Sequence, residues 1–240
     1  MELVSGWYAS TISFRDREDA AHRLVDRLSR YRGSDPLILA IPRGGVVMGE
    51  ILAQELDGEL DVVLVRKLGA PGNPEYAIGA VSESGSVSLR GDIGVPIPSS
   101  YVEAEVERQS EVLRQRRLLY RQNHPAIDPK GRTVIVVDDG VATGATLEAA
   151  LRLIREQHPK RLLAAVGVAP GPTLTRLETL ADEVVWLGSP SEFYAVGQFF
   201  QEFPQVDDQE VKEILERGWK RRENRAPAAG GIDSRAGESD

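Results

Sequence analysis

Val134-Ile135-Val136-Val137-Asp138-Asp139-Gly140-Val141-Ala142-Thr143-Gly144-Ala145-Thr146 decides how this chain is read. Its four β-branched residues suit a buried strand, because branching at Cβ favours packing on a pleated surface. Two carboxylates end the run. A short loop rich in glycine and threonine follows, and an apolar-periodic stretch then reaches about His158. In an open parallel sheet, ligands bind beyond the carboxyl ends of the strands, which is where Asp138 and Asp139 fall. Gly140 and Gly144 admit positive φ and close approach of a ligand to the main chain. The amides of Val141, Ala142, Thr143, Gly144, Ala145 and Thr146 can then converge on an anion at a helix N-terminus, where the helix dipole favours negative charge. Thr143 and Thr146 add hydroxyl donors. A phosphate cradle beside two acids suits a phosphorylated polyol, with the loop on the phosphate and the acids on vicinal hydroxyls.

Other phosphate motifs fit poorly. A Walker A loop ends in Gly-Lys-Ser/Thr, and no lysine lies between Lys130 and Lys160. A dinucleotide fingerprint needs three spaced glycines, and only Gly140 and Gly144 are present. The plain alternative is an ordinary strand, turn and helix whose acids sit at a solvent-exposed cap. The segment resembles the 5-phosphoribosyl-1-pyrophosphate (PRPP) binding motif of the type I phosphoribosyltransferases: a hydrophobic run, two acids, small residues with Thr-Gly, and a closing Thr.

Composition is that of a soluble globular protein. The 240 residues are 41% hydrophobic and 28% charged, enough for a substantial core. Lys and Arg number 29 against 37 Asp and Glu, a net charge of −8, which argues against a general nucleic-acid binder. With no cysteine, disulfides and thiolate metal sites are excluded. No apolar run has membrane-spanning length and the first residues do not read as a signal peptide, so a cytoplasmic location and no membrane partner are expected. His22, His124 and His158 share no ligand spacing and read as solvated.

Along the chain, apolar spacing predicts helices over 16–31 and 46–56, with strands at 37–41 and 61–65. A Gly/Pro-rich loop is expected from Leu68 through Tyr76, followed by a hairpin with strands at 78–81 and 87–89. Ser100-x-x-Glu103 has the pattern of a capping box opening a long helix over 100–122. In that helix Val102, Val106, Leu113 and Tyr120 should face inward and the charges should face water. Strand 134–137, helix 145–157, strand 162–168, helix 173–181 and strand 183–187 complete an alternating series. This predicts an α/β fold, a parallel sheet with helices on both faces. One domain spans 1–205, a last helix is expected within 206–221, and a polar, disordered tail over 222–240.

The resemblance assigns roles beyond this motif. Ile41-Pro42-Arg43-Gly44-Gly45-Val46 is a second strand-turn-helix start and looks like the family's pyrophosphate loop, with Arg43, Gly44 and Gly45 binding pyrophosphate. Such loops often hold a non-proline cis peptide. Arg66 and Lys67, read as the end of the second strand, also resemble the corresponding stretch of adenine phosphoribosyltransferases and would hold pyrophosphate as catalytic cations. The 68–76 loop would be a mobile lid over PRPP, with Glu75 either the proton acceptor from the incoming base or a residue that packs the loop. Asp138 and Asp139 would be catalytic, holding ribose hydroxyls directly or through Mg²⁺. Segments near 1–15 and 188–205 would form a small hood, with Phe193 or Tyr194 stacking on the base. Phe199 and Phe203 read instead as packing residues.

Two departures matter. The 6-oxopurine enzymes present a lysine after the strand that follows the PRPP loop, whereas this chain has Ala169-Pro170-Gly171-Pro172. The long 100–122 helix is additional to the smallest members. The expectation is transfer of 5-phosphoribosyl from PRPP to a nitrogen acceptor, a nucleobase, with Mg²⁺ and release of pyrophosphate. Weak activity is expected with hypoxanthine and guanine. A non-catalytic PRPP-sensing regulator and another phosphosugar enzyme are the alternatives, and a homodimer is left open.

Overall fold

The computed structural model describes residues 12–90, 96–122 and 124–225. Five strands, β1 (Leu37–Ala40), β2 (Glu59–Val62), β6 (Thr133–Gly140), β7 (Arg161–Val168) and β8 (Glu183–Gly188), form a parallel sheet in the order β2-β1-β6-β7-β8. The strands flanking the β1/β6 pair lead outward in opposite directions, so the sheet reverses its winding there. That crevice, beyond the carboxyl ends of β1 and β6, is where such sheets bind ligands.

Side-chain alternation divides the core into two. Ile38, Ala40, Ile135 and Val137 face one layer, built with α1 (Arg17–Leu28), α2 (Gly44–Glu55) and α6 (Asp208–Arg225). Leu37, Leu39, Val134 and Val136 face the other, built with α4 (Ala145–Arg155) and α5 (Gly171–Glu178). Because both faces are covered, the central strands are apolar at nearly every position. A second sheet is antiparallel, in the order β3 (Val65–Ala70), β4 (Asn73–Ser82), β5 (Val87–Leu89). Phe14 and Phe200 form an isolated parallel bridge, which joins the two chain segments expected to build a hood; residues 1–11 of that expectation lie outside the described residues.

Several expectations are corrected. Asp61–Val65 is not one strand: β2 ends at Val62, and Val65 already belongs to the second sheet. Arg66 and Lys67 therefore open β3 rather than close a parallel strand. The segment 68–76 is not an open loop. β3 and β4 pair through Gly69↔Ala77 and Ala70↔Asn73, with register shifts around Gly69 that absorb the extra residues, and Leu68 is fully buried. The long helix, α3 (Ser99–Arg121), starts without a side-chain cap. Pro98 presets φ at −59° and its carbonyl accepts from the amides of Tyr101 and Val102, so Ser100 is already inside the first turn. Leu113 and Tyr120 are buried as expected, but so are Glu105 and Gln109. The polar stretch assigned to a tail from 222 is helical through Arg225, where Arg225 caps the carbonyls of Asp57 and Gly58; residues 226–240 lie outside the described residues. All three histidines are exposed, although His124 stacks on Trp219 at 3.9 Å. Among the described residues, no helix is long and apolar enough to cross a membrane.

Candidate active site

A cleft of about 680 Å³ opens at the reversal point of the sheet. It is lined by Arg43 and Gly44 after β1, Arg66 and Lys67 from β3, and Asp138, Asp139, Gly140, Thr143, Ala145 and Thr146 around the end of β6. Three sequence-distant stretches singled out by their chemistry thus meet in one cavity. The peptide bond between Pro42 and Arg43 is cis, within the loop the resemblance marks.

The two acids diverge, as adjacent strand residues must. Asp139 is buried and its Oδ2 accepts from Arg17 Nε at 2.7 Å. Arg17 also donates to the Pro204 carbonyl at 2.7 Å and lies 3.8 Å over the Phe203 ring. This cation was missed from sequence, although a signal existed: arginine as the first helical residue opposes the helix dipole and needs a compensating reason. Gly44 packs against the pair, since a Cβ there would stand 2.1 Å from Asp139 Oδ2. Asp138 has no cationic hydrogen-bond partner among the described residues; its Oδ1 accepts from the Asp139 amide at 2.9 Å. Burial first, and then the neighbouring Asp139 charge, push the Asp138 carboxyl well above its ordinary 3.8. Burial also pushes Asp139 up, while the Arg17 hydrogen bond and charge pull the other way.

The loop after β6 is held from behind. The Ala142 carbonyl accepts from Thr173 Oγ1 at 2.9 Å, and the Thr143 carbonyl accepts from Arg176 Nη2 at 2.6 Å. In a trans peptide the N–H points opposite to the C=O, so the amides of Thr143 and Gly144 are aimed away from α5. Gly144 has φ of +82° and precedes the first turn of α4, supplying the left-handed turn foreseen there. Gly140 has no positive φ; what its missing side chain admits is Val196, whose Cγ1 would meet a Cβ at 2.5 Å. The Val141 amide donates to the Val168 carbonyl at 2.8 Å and is committed to the sheet. Thr143 and Thr146 are exposed at the cleft with their hydroxyls available.

The remaining candidates are less central. Gly45 is buried and donates to the Ile41 carbonyl at 3.1 Å, making it part of the α2 start rather than of the cleft wall. Glu75 lies on β4, and its side chain is outside the described residues. Phe193 packs against Phe199 with ring centroids 5.2 Å apart, Tyr194 is 84% exposed, and neither lines the cleft. Phe199 is buried and Phe203 covers Arg17, in keeping with their reading as packing residues. Glu105, Arg108 and Arg116 of α3, whose charges were expected to face water, line the cleft as well, together with Gln109.

The model of the phosphoribosyl transferase domain matches residues 12–187, most of the chain and all three parts of the cleft. The chain belongs to the phosphoribosyl transferase family. This phosphoribosyl transferase domain is similar to a Mycobacterium tuberculosis protein named "Putative phosphoribosyl transferase Rv0571c", with 38% identity over 206 residues, 85% of the chain and 46% of the relative. A second protein of that organism, "Putative phosphoribosyl transferase MT0597", matches to the same extent. The chain spans about half the length of these curated relatives. Among solved structures, the TT1426 protein from Thermus thermophilus is 46% identical with a TM-score of 0.81, over 85% of this chain and 98% of that one. The type I phosphoribosyltransferase-like fold read from the β6 motif is thereby established.

Proposed function

We propose that the chain transfers 5-phosphoribosyl from PRPP to a nitrogen acceptor, a nucleobase, and releases pyrophosphate. The observation that carries this reading is the convergence of three binding surfaces in one cleft: an amide loop at the α4 N-terminus, an acidic β6 end, and the cations Arg43, Arg66 and Lys67. The loop would take the 5-phosphate, the acids the ribose hydroxyls, and the cations the pyrophosphate. In the reaction the bond from the anomeric carbon to pyrophosphate breaks, a bond to the acceptor nitrogen forms, and the acceptor's N–H proton leaves to a base, the role proposed for Glu75. Because the departing group gathers negative charge, fixed cations that need no reorganisation stabilise it most.

Magnesium fits the donor set as a shared ligand. Among the described residues, only Asp138 and Asp139 offer adjacent carboxylates in the cleft, and Asp139 is already bonded to Arg17. An ion held by one or two carboxylates would complete its shell with substrate oxygens and water, which is the habit of Mg²⁺. Bound there, it would neutralise pyrophosphate charge.

For the acceptor, Val196 beside Gly140 brings the 189–196 segment next to the cleft, and the exposed Tyr194 ring has a free face for stacking. With Ala169-Pro170-Gly171-Pro172 and no lysine directly after β7, hypoxanthine and guanine should be poor acceptors. The test is a nucleobase panel with PRPP and Mg²⁺, read by pyrophosphate release. Base-dependent release supports the transferase; PRPP binding without turnover for any base would turn the reading to a sensor.

A further inference from the structure

The PRPP reading accounts for the residues that β1, β3 and β6 bring to the cleft, but not for α3. Glu105, Arg108, Gln109 and Arg116 fall on one helical face and line the same cavity. That face is anchored. Gln109 Nε2 donates to Glu105 Oε1 at 3.0 Å, and Tyr101 Oη donates to the Gly69 carbonyl of β3 at 3.0 Å. Gln109 Oε1 accepts from Arg66 Nε at 2.9 Å. Glu105 and Gln109 are buried, so this chain of bonds is screened from water. Its result is an Arg66 guanidinium oriented through Nε, whose terminal nitrogens make no hydrogen bond among the described residues.

The charges around it do not balance. Arg108 is paired with Glu105, but Arg116 makes no ion pair among the described residues. Burial first, and then the positive charges of Arg116 and Arg108, lower the Arg66 pKa, and the Glu105 carboxylate offsets this only in part. Arg116 and Arg43 both act on the Tyr120 hydroxyl, which donates to Asp208 Oδ1 at 2.5 Å, and Arg43 lies 3.9 Å from that oxygen. Among the described residues the cations of this wall without an ion pair are therefore Arg66 and Arg116, flanked by the paired Arg43 and Arg108. Repulsion of this kind persists when a ligand's negative charge offsets it.

We propose that α3 forms the outer wall of the pyrophosphate end of the cleft, with Arg108 and Arg116 binding a diphosphate directly and Gln109 positioning Arg66 toward it. The assignment rests on the PRPP reading for the identity of that end, and it adds a helix the family resemblance does not require.

Titration calorimetry on the intact chain with inorganic pyrophosphate and, separately, ribose 5-phosphate tests it. Arg116→Gln and Arg108→Gln should each lower pyrophosphate affinity by about tenfold, the loss of a charge-assisted hydrogen bond, and leave ribose 5-phosphate within about twofold. Arg116→Lys should keep most of the affinity. Arg114→Gln, whose partner is Glu111 away from the cleft, should change neither. Gln109→Leu should weaken pyrophosphate binding in the native chain and add nothing in an Arg66→Gln background, which a merely structural role would not produce. Unchanged pyrophosphate affinity in the Arg108/Arg116 double variant, or equal loss of both ligands, would overturn the assignment. Selective loss in a chain that transfers to no base would uphold α3 and overturn the transferase; base-dependent turnover without selective loss would do the reverse.

Discussion

Asp138 and Asp139 are neighbours in sequence and opposites in environment. Asp139→Asn would leave Arg17 buried without a counter-charge, and removing one member of such a pair costs about 3–5 kcal/mol. A large fall in the urea midpoint is expected; a midpoint like that of the native chain would show the pair to be dispensable. Asp138→Asn keeps an oxygen for the Asp139 amide and removes a carboxylate that burial disfavours, so it should weaken PRPP binding while leaving stability equal or higher. The pH dependence follows by linkage. Asp138's folded pKa lies above its unfolded value near 3.8, so the folded state holds the extra proton between the two. Stability from this group is present at low pH and lost as pH rises through the folded value. The Asn variant's advantage should be full at neutral pH and shrink toward pH 4 in paired thermal melts. Gly44→Ala acts at the same locus, driving a methyl into the ion pair. Combined with Arg17→Gln it should cost clearly less than the sum of the two single changes, and additive losses would separate the two sites.

At the scale of elements, the loop after β6, proposed to take the phosphate, is held in its orientation by α5. Thr173→Ala removes the donor to the Ala142 carbonyl. Ribose 5-phosphate should then bind several-fold more weakly, an effect of about 1 kcal/mol, with the melting temperature little changed. Equal binding would mean the loop keeps its shape unaided. The β3–β4 hairpin bears on the lid differently from an open loop. Hydrogen exchange should be slow through Val65–Leu68, paired with Gly79–Ser82, and fast only near the tip, at the Gly72 amide. Fast exchange throughout would restore the lid. What was legible from sequence here was local. The β6 motif carries its strand, its turn and its helix start within thirteen residues, so neighbours along the chain suffice to read it. The illegible parts depend on distant partners. An apolar run such as Asp61–Val65 does not announce that the chain changes sheets in its middle, because either sheet would bury it. Glu105 reads as solvated and Gln109 carries no signal, because their partners, Gly69 and Arg66, are about forty residues away. Likewise Thr173 and Arg176 looked like ordinary helix residues, since what they hold is a pair of carbonyls in another turn.

For the whole molecule, α6 belongs to the core of the parallel sheet. Val211, Ile214, Leu215 and Trp219 are buried against it, and Asp208 receives the Tyr120 hydroxyl. Each such side chain contributes about 1.5–3 kcal/mol of burial, and four together rival the whole net stability of a domain. A chain ending at Val206 should therefore fail to fold, seen as loss of the cooperative thermal transition. A folded, ligand-binding fragment would make α6 an accessory.

Arg17 reaches Asp139 and then Pro204, partners 122 and 187 residues further along. A ribosome delivers these in order, so α1 emerges long before either counterpart exists. A nascent chain released as far as residue 160 would already own both strand ends and the turn after β6, yet its Arg17 would still lack the Pro204 carbonyl. Competence for the substrate should thus arrive late in synthesis, once both residue 204 and α6 have cleared the exit tunnel. Until then the charges meant for one another are at the disposal of whatever meets the nascent chain first.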